Sequence, residues 1–177
     1  AGLNGSNLTA GPGNGLRQFG LAAGGFVQYD FEEKHGFRME MLFNQKGARI
    51  PPNPEKGEYF LYSARLNYID VPLMLTYTQD NFIYEFGPSV GYLIGSSEEL
   101  VSSSIQERPF RPLDFALNIG INYHLAENFD MNWRLSHSII PVRQHVGGGT
   151  FRLNRGEYNM VLSFRLIYWI KKMERNG

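Results

Sequence analysis

The sequence predicts an all-β protein, an eight-stranded antiparallel up-and-down transmembrane β-barrel with its apolar side chains outward. Three observations support this fold. Apolar and polar residues alternate with a period of two along most of the chain. The segments between these runs are alternately short and long. The apolar positions carry more large side chains than the interior of an eight-stranded barrel can hold.

Size, charge and composition narrow the class of protein. At 177 residues the chain is expected to form a single domain, residues 1–177, with a short C-terminal tail at 171–177. Its 17 basic and 17 acidic residues cancel, which argues against a nucleic-acid-binding surface. It contains no cysteine, so neither a disulfide nor a thiolate metal site can form. No apolar run reaches the length of about 18 residues that a membrane helix requires.

Each alternating run defines one predicted strand. The sixth run is typical, with Leu113, Phe115 and Leu117 set against Asp114 and Ala116. In chain order, the eight strands are expected within Leu3–Leu8, Phe19–Phe31, Phe37–Phe43, Phe60–Tyr77, Phe82–Ile94, Leu113–Tyr123, Phe129–Leu135 and Tyr158–Ile170.

The connections predict how the barrel sits in the membrane. An even number of strands places both termini at the end with the short turns, which is expected to face the periplasm of a bacterium with an outer membrane. The short turns are expected at 32–36, 78–81 and 126–128, and the long loops, rich in Gly, Pro, Ser and charge, at 9–16, 51–58, 96–111 and 141–156.

Aromatic residues concentrate near the short turns and the C-terminus. In three dimensions they would form a girdle at one level, as expected at a membrane–water interface. The apolar face is therefore expected to contact outer-membrane lipid. The expected members of the aromatic girdle are Tyr29, Phe31, Phe37, Tyr77, Phe82, Tyr123, Phe129 and Tyr168.

The fourth run contains a proline and a change of phase. Apolar residues occupy even positions in Phe60–Tyr68 but odd positions in Ile69–Tyr77. Pro72 also removes a backbone hydrogen-bond donor from the strand. Together these features predict a β-bulge near Tyr68–Asp70.

The inward positions carry charges of both signs. Charges within a membrane span usually have partners, and an eight-stranded barrel normally has no open channel. These charges are therefore expected to pair and close the lumen, whereas unpaired charges would form a selectivity path or a proton relay. The predicted lumen charge network comprises Arg38, Glu40, Asp70, Glu85, Asp114, Arg134 and Arg165, with Asp114 and a further cation, Lys46, nearer the long loops.

No residue set predicts a catalytic, cofactor-binding or metal site. Ser136 and Ser138 flank His137, but neighbours in a strand point to opposite faces and cannot form a catalytic triad. The other histidines are too scattered in sequence for metal-ligand spacing. The glycines at 147–149 lack the lysine and the helix that follow a phosphate-binding loop.

An aromatic stretch lies beyond the predicted membrane span. Tyr59, Phe60 and Tyr62 precede Ile69–Tyr77, which already supplies the roughly nine residues needed to cross a bilayer. Large apolar side chains outside the membrane commonly mark a contact surface. These three residues are the candidate contact with a partner protein; the alternative is that a tall strand packs them against the long loops.

Several segments carry a family resemblance. The specific part is the Ile-Asp-Val-Pro-Leu block at 69–73, within Asn-Tyr-Ile-Asp-Val-Pro-Leu-Met-Leu-Thr-Tyr at 67–77. Residues 3–7, 86–92 and 114–123 extend the resemblance over nearly the whole chain. These segments resemble the PorT-type outer-membrane β-barrel family of Bacteroidota, although Thr76 stands where members often have lysine. One member is linked to the type IX secretion system. The resemblance implies location and fold, and no activity.

Three functional hypotheses remain. The first is a non-enzymatic barrel that acts as an accessory or structural subunit of an outer-membrane protein complex, with secretion as a candidate role. It would contact other outer-membrane proteins and bind no cofactor and no nucleic acid. The second is a pore for ions or small solutes. The third is a lipid-modifying enzyme, which would need a serine, a histidine and an acid on one face.

Overall fold

A computed structural model of the chain describes residues 1–9, 15–50, 62–100, 109–144 and 156–170. Each strand pairs antiparallel with the next, and the first pairs with the last, which closes the barrel. The predicted eight-stranded up-and-down barrel is confirmed. Its strands are β1 (Gly2–Thr9), β2 (Gln18–Asp30), β3 (His35–Ile50), β4 (Tyr62–Gln79), β5 (Phe82–Leu100), β6 (Leu113–Ala126), β7 (Phe129–Ser138) and β8 (Tyr158–Tyr168).

The two ends of the barrel differ in their connections. At the short-turn end, two residues join β4 to β5 and two join β6 to β7. Asp80 adopts a left-handed conformation with φ 52° in the first of these turns, which aspartate tolerates better than most residues. At the opposite, long-loop end, the connections contain residues 10–14, 51–61, 101–108 and 145–155, which lie outside the described residues. The loop predicted from residue 96 starts later, because β5 continues to Leu100.

Three neighbouring strands are much taller than the rest. β3, β4 and β5 have 16, 18 and 19 residues, whereas β1 has 8 and β7 has 10. The β5–β6 ladder ends at Tyr92↔Leu113, so the upper part of β5 rises beyond β6. The extra length lies at the long-loop end and forms what we call the raised wall, residues 45–50, 62–67 and 94–100.

The predicted bulge in β4 is wrong. β4 pairs with β3 in a constant register from His35↔Tyr77 to Ile50↔Tyr62. The register shift lies instead in the β4–β5 ladder, where Asn67 pairs with Gly95 and Tyr68 with Leu93. Ile94 is therefore the extra residue, and the bulge is in β5.

The phase change in β4 has a different cause, a reversal of polarity along the strand. Even-numbered residues point inward throughout β4. In the raised wall the inward Tyr62 and Leu66 are apolar and fully buried, and Arg65 is exposed outside. Nearer the short turns the inward Asp70 is charged, and the outward Leu75 is apolar and exposed. The barrel is thus inside-out at lipid level and has a conventional apolar core above it.

The outer surface below the raised wall is apolar. Phe19 is 75 % exposed, Met41 63 %, Leu75 60 % and Ile119 59 %. In a water-soluble protein such a continuous exposed apolar surface would be unfavourable, whereas lipid accommodates it. Within the described residues there is no helix long and apolar enough to cross a membrane.

Candidate functional site in the barrel lumen

A cluster of five charged residues fills the lower half of the lumen, and we call it the lower network: Arg38, Glu40, Glu85, Arg134 and Arg165. Arg134 donates to both oxygens of Glu40 at 2.8 and 2.7 Å, and its Nε donates to Glu85 at 2.6 Å. Arg165 Nη1 donates to Glu40 at 2.8 Å, and Arg38 Nη1 to Glu85 at 3.3 Å. Each of the three predicted inward arginines therefore contacts an acid.

Asparagine side chains add hydrogen bonds to the lower network, although Arg38 Nη2 and Arg165 Nη2 are buried without a hydrogen-bond partner among the described residues. Asn132 Nδ2 donates to Glu85 at 2.9 Å, and Asn122 Nδ2 donates to the other oxygen of Glu85 at 3.2 Å. Asn132 Oδ1 accepts from Arg165 Nε at 2.9 Å. Glu85 thus binds groups from several strands, which is how a buried charge offsets the loss of water.

Two aromatic rings lie below the lower network, towards the short-turn end. Phe26 and Trp169 meet edge to face with ring centroids 4.8 Å apart. The Arg38 guanidinium carbon is 5.0 Å from the Phe26 centroid and 5.4 Å from the Trp169 ring, within cation–π range. The indole of Trp169 donates to Asp130 at 2.8 Å. The sequence signal for Phe26 was its break in the alternation of β2, but its role in the lumen was not predicted.

A second charged cluster in the lumen, which we call the upper network, comprises Lys46, Asp70 and Asp114. It has one more acid than cations, whereas the lower network has one more cation than acids. Lys46 Nζ lies 3.0 Å from Asp70 Oδ1 and 3.1 Å from Asp114 Oδ2. Asp114 also accepts from Ser138 at 2.6 Å and from Asn159 at 2.8 Å. Both acids belong to the predicted charge network. Across the two networks, four cations (three arginines and one lysine) balance four carboxylates.

Inward glycines make room for the lumen carboxylates. A Cβ atom on Gly120 would collide with Glu85 Oε1 and would lie 2.8 Å from the backbone oxygen of Trp133. A Cβ atom on Gly91 would collide with Asp70 Oδ1. The glycines of β5 and β6 therefore permit the buried acids to pack close to the wall.

An apolar core, rather than a charged one, fills the lumen inside the raised wall. Its fully buried members are Leu8, Ala48, Tyr62, Ala64, Leu66, Tyr68 and Val142. One of the candidate partner contacts, Tyr62, is thus at the centre of this core, and its assignment to an exposed contact surface is wrong. β4 has 18 residues, in agreement with the alternative that a tall strand carries Tyr62 above the membrane. Tyr59 and Phe60 lie outside the described residues.

An arginine closes the long-loop end above this core. Arg143 donates to Glu98 at 2.8 Å, to the Tyr62 hydroxyl at 2.8 Å and to Glu157 at 3.0 Å. Burial disfavours its charge, but Glu157 and Glu98 outweigh this and raise the pKa of the Arg143 guanidinium above its usual value. Burial, with the hydrogen bond to Glu98, also raises the pKa of the Tyr62 phenol. No pattern in the sequence indicates this cluster, because Arg143 lies in the predicted loop 141–156 and Glu157 directly follows that loop.

The predicted aromatic girdle lies on the outside at the short-turn end. Tyr29 is 71 % exposed and Tyr168 55 %. Phe82 packs against Tyr123 with centroids 5.2 Å apart, and Phe129 packs against Tyr168 at 5.1 Å. Phe31, Phe37, Tyr77, Phe82 and Phe129 are also exposed.

The residues that most resemble a catalytic set are separated by the barrel wall. Ser136 and Ser138 are buried in the lumen, and His137 lies on the outer face against Tyr158. The Ser138 hydroxyl donates to Asp114, with no imidazole between them. Within the described residues, no group of three His, Cys, Asp or Glu side chains could hold a metal ion.

A cavity of about 520 Å³ lies at the seam between β2 and β8. β1 covers only part of this seam, because its ladders begin at Gly2↔Ala22 and Gly2↔Arg165. Glu40 and Arg165 line the cavity, which places it beside the lower network.

A barrel with an apolar outside and a charged, paired inside is a membrane-spanning β-barrel protein. The family described as "Outer membrane protein beta-barrel domain" matches residues 1–144 of the 177, and the chain belongs to this family. The protein is therefore an outer-membrane protein. No curated protein and no solved structure matched the chain.

Proposed function

We propose that the protein is a non-enzymatic barrel that serves as an accessory subunit of an outer-membrane protein complex. The observation that carries this proposal is the raised wall. A strand needs only about 9–11 residues to cross an outer membrane, whereas β4 and β5 have 18 and 19. The extra length stands outside the lipid on one side only, with an apolar core behind it, and offers a firm surface to a partner.

The lumen supports a structural role over transport. Four cations and four acids hydrogen-bond one another at spacings of about 2.6–3.3 Å. An ion path would require such charges to face water instead. The pore nevertheless remains the second candidate, because the seam cavity brings open space to Glu40 and Arg165.

The proposal has an orientation and a setting. In it, the long-loop end faces outside the cell and both termini face the periplasm. The resemblance of residues 67–77 to PorT-type barrels of Bacteroidota supports a complex concerned with type IX secretion. Tyr59 and Phe60 remain predicted contacts, and the outward residues of β5 in the raised wall join them as candidates.

Photo-crosslinking in cells that naturally produce the protein tests the assignment. A photoreactive phenylalanine analogue replaces Ser97, which is exposed in the raised wall opposite Arg65. We expect a discrete adduct with another membrane protein. The matched control carries the analogue at Ile119, which is exposed on the lipid face of β6. Adducts at neither position, with the barrel migrating alone in native extracts, would contradict the subunit role.

A further inference from the structure

We propose that an arginine-lined groove on the outside of the raised wall binds the phosphate group of a membrane lipid. The groove has a volume of about 350 Å³. Arg17, Arg49 and Arg65 line it, together with Phe19 and Glu99. It adjoins the candidate partner surface of β5, because Ser97 pairs with Arg65 and Glu99 pairs with Ser63.

The strand pairing brings the arginines together. Arg49 pairs with Ser63, and Arg65 pairs with Gly47, so the two arginines lie diagonally on the same outer face of β3 and β4. Arg17 directly precedes β2, the other neighbour of β3. All three are exposed. None of the three side chains makes a hydrogen bond or ion pair with the part of the chain that the structure describes.

The level of the groove points to a lipid headgroup. Phe19 lines the groove and is 75 % exposed at the upper edge of the apolar surface. Ile69 and Phe43, which pair on the outside of β4 and β3, continue that surface below Arg65. The guanidinium groups therefore lie where lipid headgroups meet water, with space for acyl chains beneath them.

The charge of the groove suits a phosphate monoester. Three arginines against one acid, Glu99, leave a net charge of +2 on the described lining residues. A planar guanidinium donates two parallel hydrogen bonds to a phosphate, which a lysine ammonium cannot do. The apolar side chains beneath the groove select a phosphate attached to acyl chains over a free phosphate ion.

Binding is measured by native mass spectrometry of the full chain in dodecylmaltoside with added dioleoylphosphatidic acid. We expect the double variant Arg49→Gln/Arg65→Gln to bind roughly 25-fold more weakly, at about fivefold for each arginine. Glu99→Gln should bind more tightly than the natural protein, because it removes the repelling charge. Arg111→Gln removes an exposed arginine outside the groove and should leave binding unchanged.

Three results would overturn the proposal. One is a double variant that retains heat-modifiable barrel migration on gels and binds phosphatidic acid as tightly as the natural protein. Another is weaker binding by Glu99→Gln. The third is displacement of the lipid by inorganic phosphate at equal concentration, which would make the groove a site for free anions. Dioleoylphosphatidylcholine, whose headgroup is neutral overall, should bind more weakly than phosphatidic acid.

Discussion

Arg134 on β7 and Glu40 on β3 form a bidentate ion pair across the lumen, with Nη1–Oε2 and Nη2–Oε1 distances of 2.8 and 2.7 Å. The same arginine holds Glu85 on β5 through its Nε. One side chain therefore ties three non-adjacent strands together through the centre of the barrel. Alternation places these charged residues on the inward face, and their pairing fills the lumen.

Replacing Arg134 by alanine should destabilise the barrel by roughly 3–5 kcal/mol, because Glu40 and Glu85 would remain buried with less compensation. The free energy of unfolding is measured with guanidinium chloride in detergent, followed by the fluorescence of Trp133 and Trp169. The control Arg111→Ala removes an exposed arginine and should change stability by less than about 0.5 kcal/mol. Equal stability of the two variants would show that the lumen pairs contribute little.

Gly120→Ala should destabilise the barrel without changing any charge. The new methyl group would meet Glu85 and, at 2.8 Å, the backbone oxygen of Trp133, which cannot move without disturbing the β6–β7 ladder. Crowding of this kind typically costs about 1–3 kcal/mol. Gly25→Ala is the matched control, because a Cβ atom there would meet nothing within 4 Å. The prediction fails if both variants unfold at the same guanidinium concentration.

Tyr62→Phe should weaken the closure at the long-loop end. It removes a hydroxyl that donates to Glu98 at 2.7 Å and accepts from Arg143, at a cost of about 1–3 kcal/mol. Tyr92→Phe on the exposed face of β5 is the control. If Tyr62→Phe lowers the free energy of unfolding no more than Tyr92→Phe does, the Tyr62 hydroxyl does not stabilise the long-loop end.

The same variant has a predicted pH dependence. Because burial raises the pKa of the Tyr62 phenol in the folded state, the unfolded chain loses this proton first, near its ordinary pKa of 10. The stability contributed by this group is therefore present below about pH 10 and declines at higher pH. Unfolding midpoints measured between pH 8 and about 11 should fall less steeply for Tyr62→Phe than for the natural protein. Parallel slopes would contradict the raised pKa.

Protease added to intact cells tests the orientation. Cleavage is expected within the long loops, at 101–108 or 145–155, and not at the short turn formed by Asp80 and Asn81. A factor Xa site inserted at each location supplies matched substrates. Cleavage only at the site inserted in the short turn would show that the short-turn end, and not the long-loop end, faces outside the cell.

Much of the barrel could be predicted from the sequence because one rule governs it. In a strand, neighbours alternate between faces, so Arg38, Glu85 and Arg134 could be assigned to the lumen from their positions alone. The pairing partners were predictable only as a set. Which acid meets which arginine depends on the stagger between strands, as in the contact of Arg165 with Glu40, 125 residues earlier.

The apolar core inside the raised wall and the Arg143 cluster could not be predicted from the sequence. Alternation of apolar and polar residues does not show where along a strand the membrane ends. Tyr62 and Leu75 are both apolar, yet one points inward and the other outward. The phase change in the sequence favoured a bulge in β4. In the structure β4 has no bulge, and its outer face changes from lipid-facing to water-facing along the strand. The Arg143 cluster joins two residues of one loop to one residue each of β4 and β5, and no periodic pattern connects them.

Planar-bilayer recording of the purified barrel tests most directly whether the paired charges close the lumen. For the natural protein we expect no stepwise current above that of the detergent alone. We expect current steps when Glu40→Gln/Arg134→Gln removes one ion pair of the lower network. Stable conductance steps in the natural protein, with an ion selectivity that changes in Glu40→Gln, would contradict a closed lumen and establish a pore.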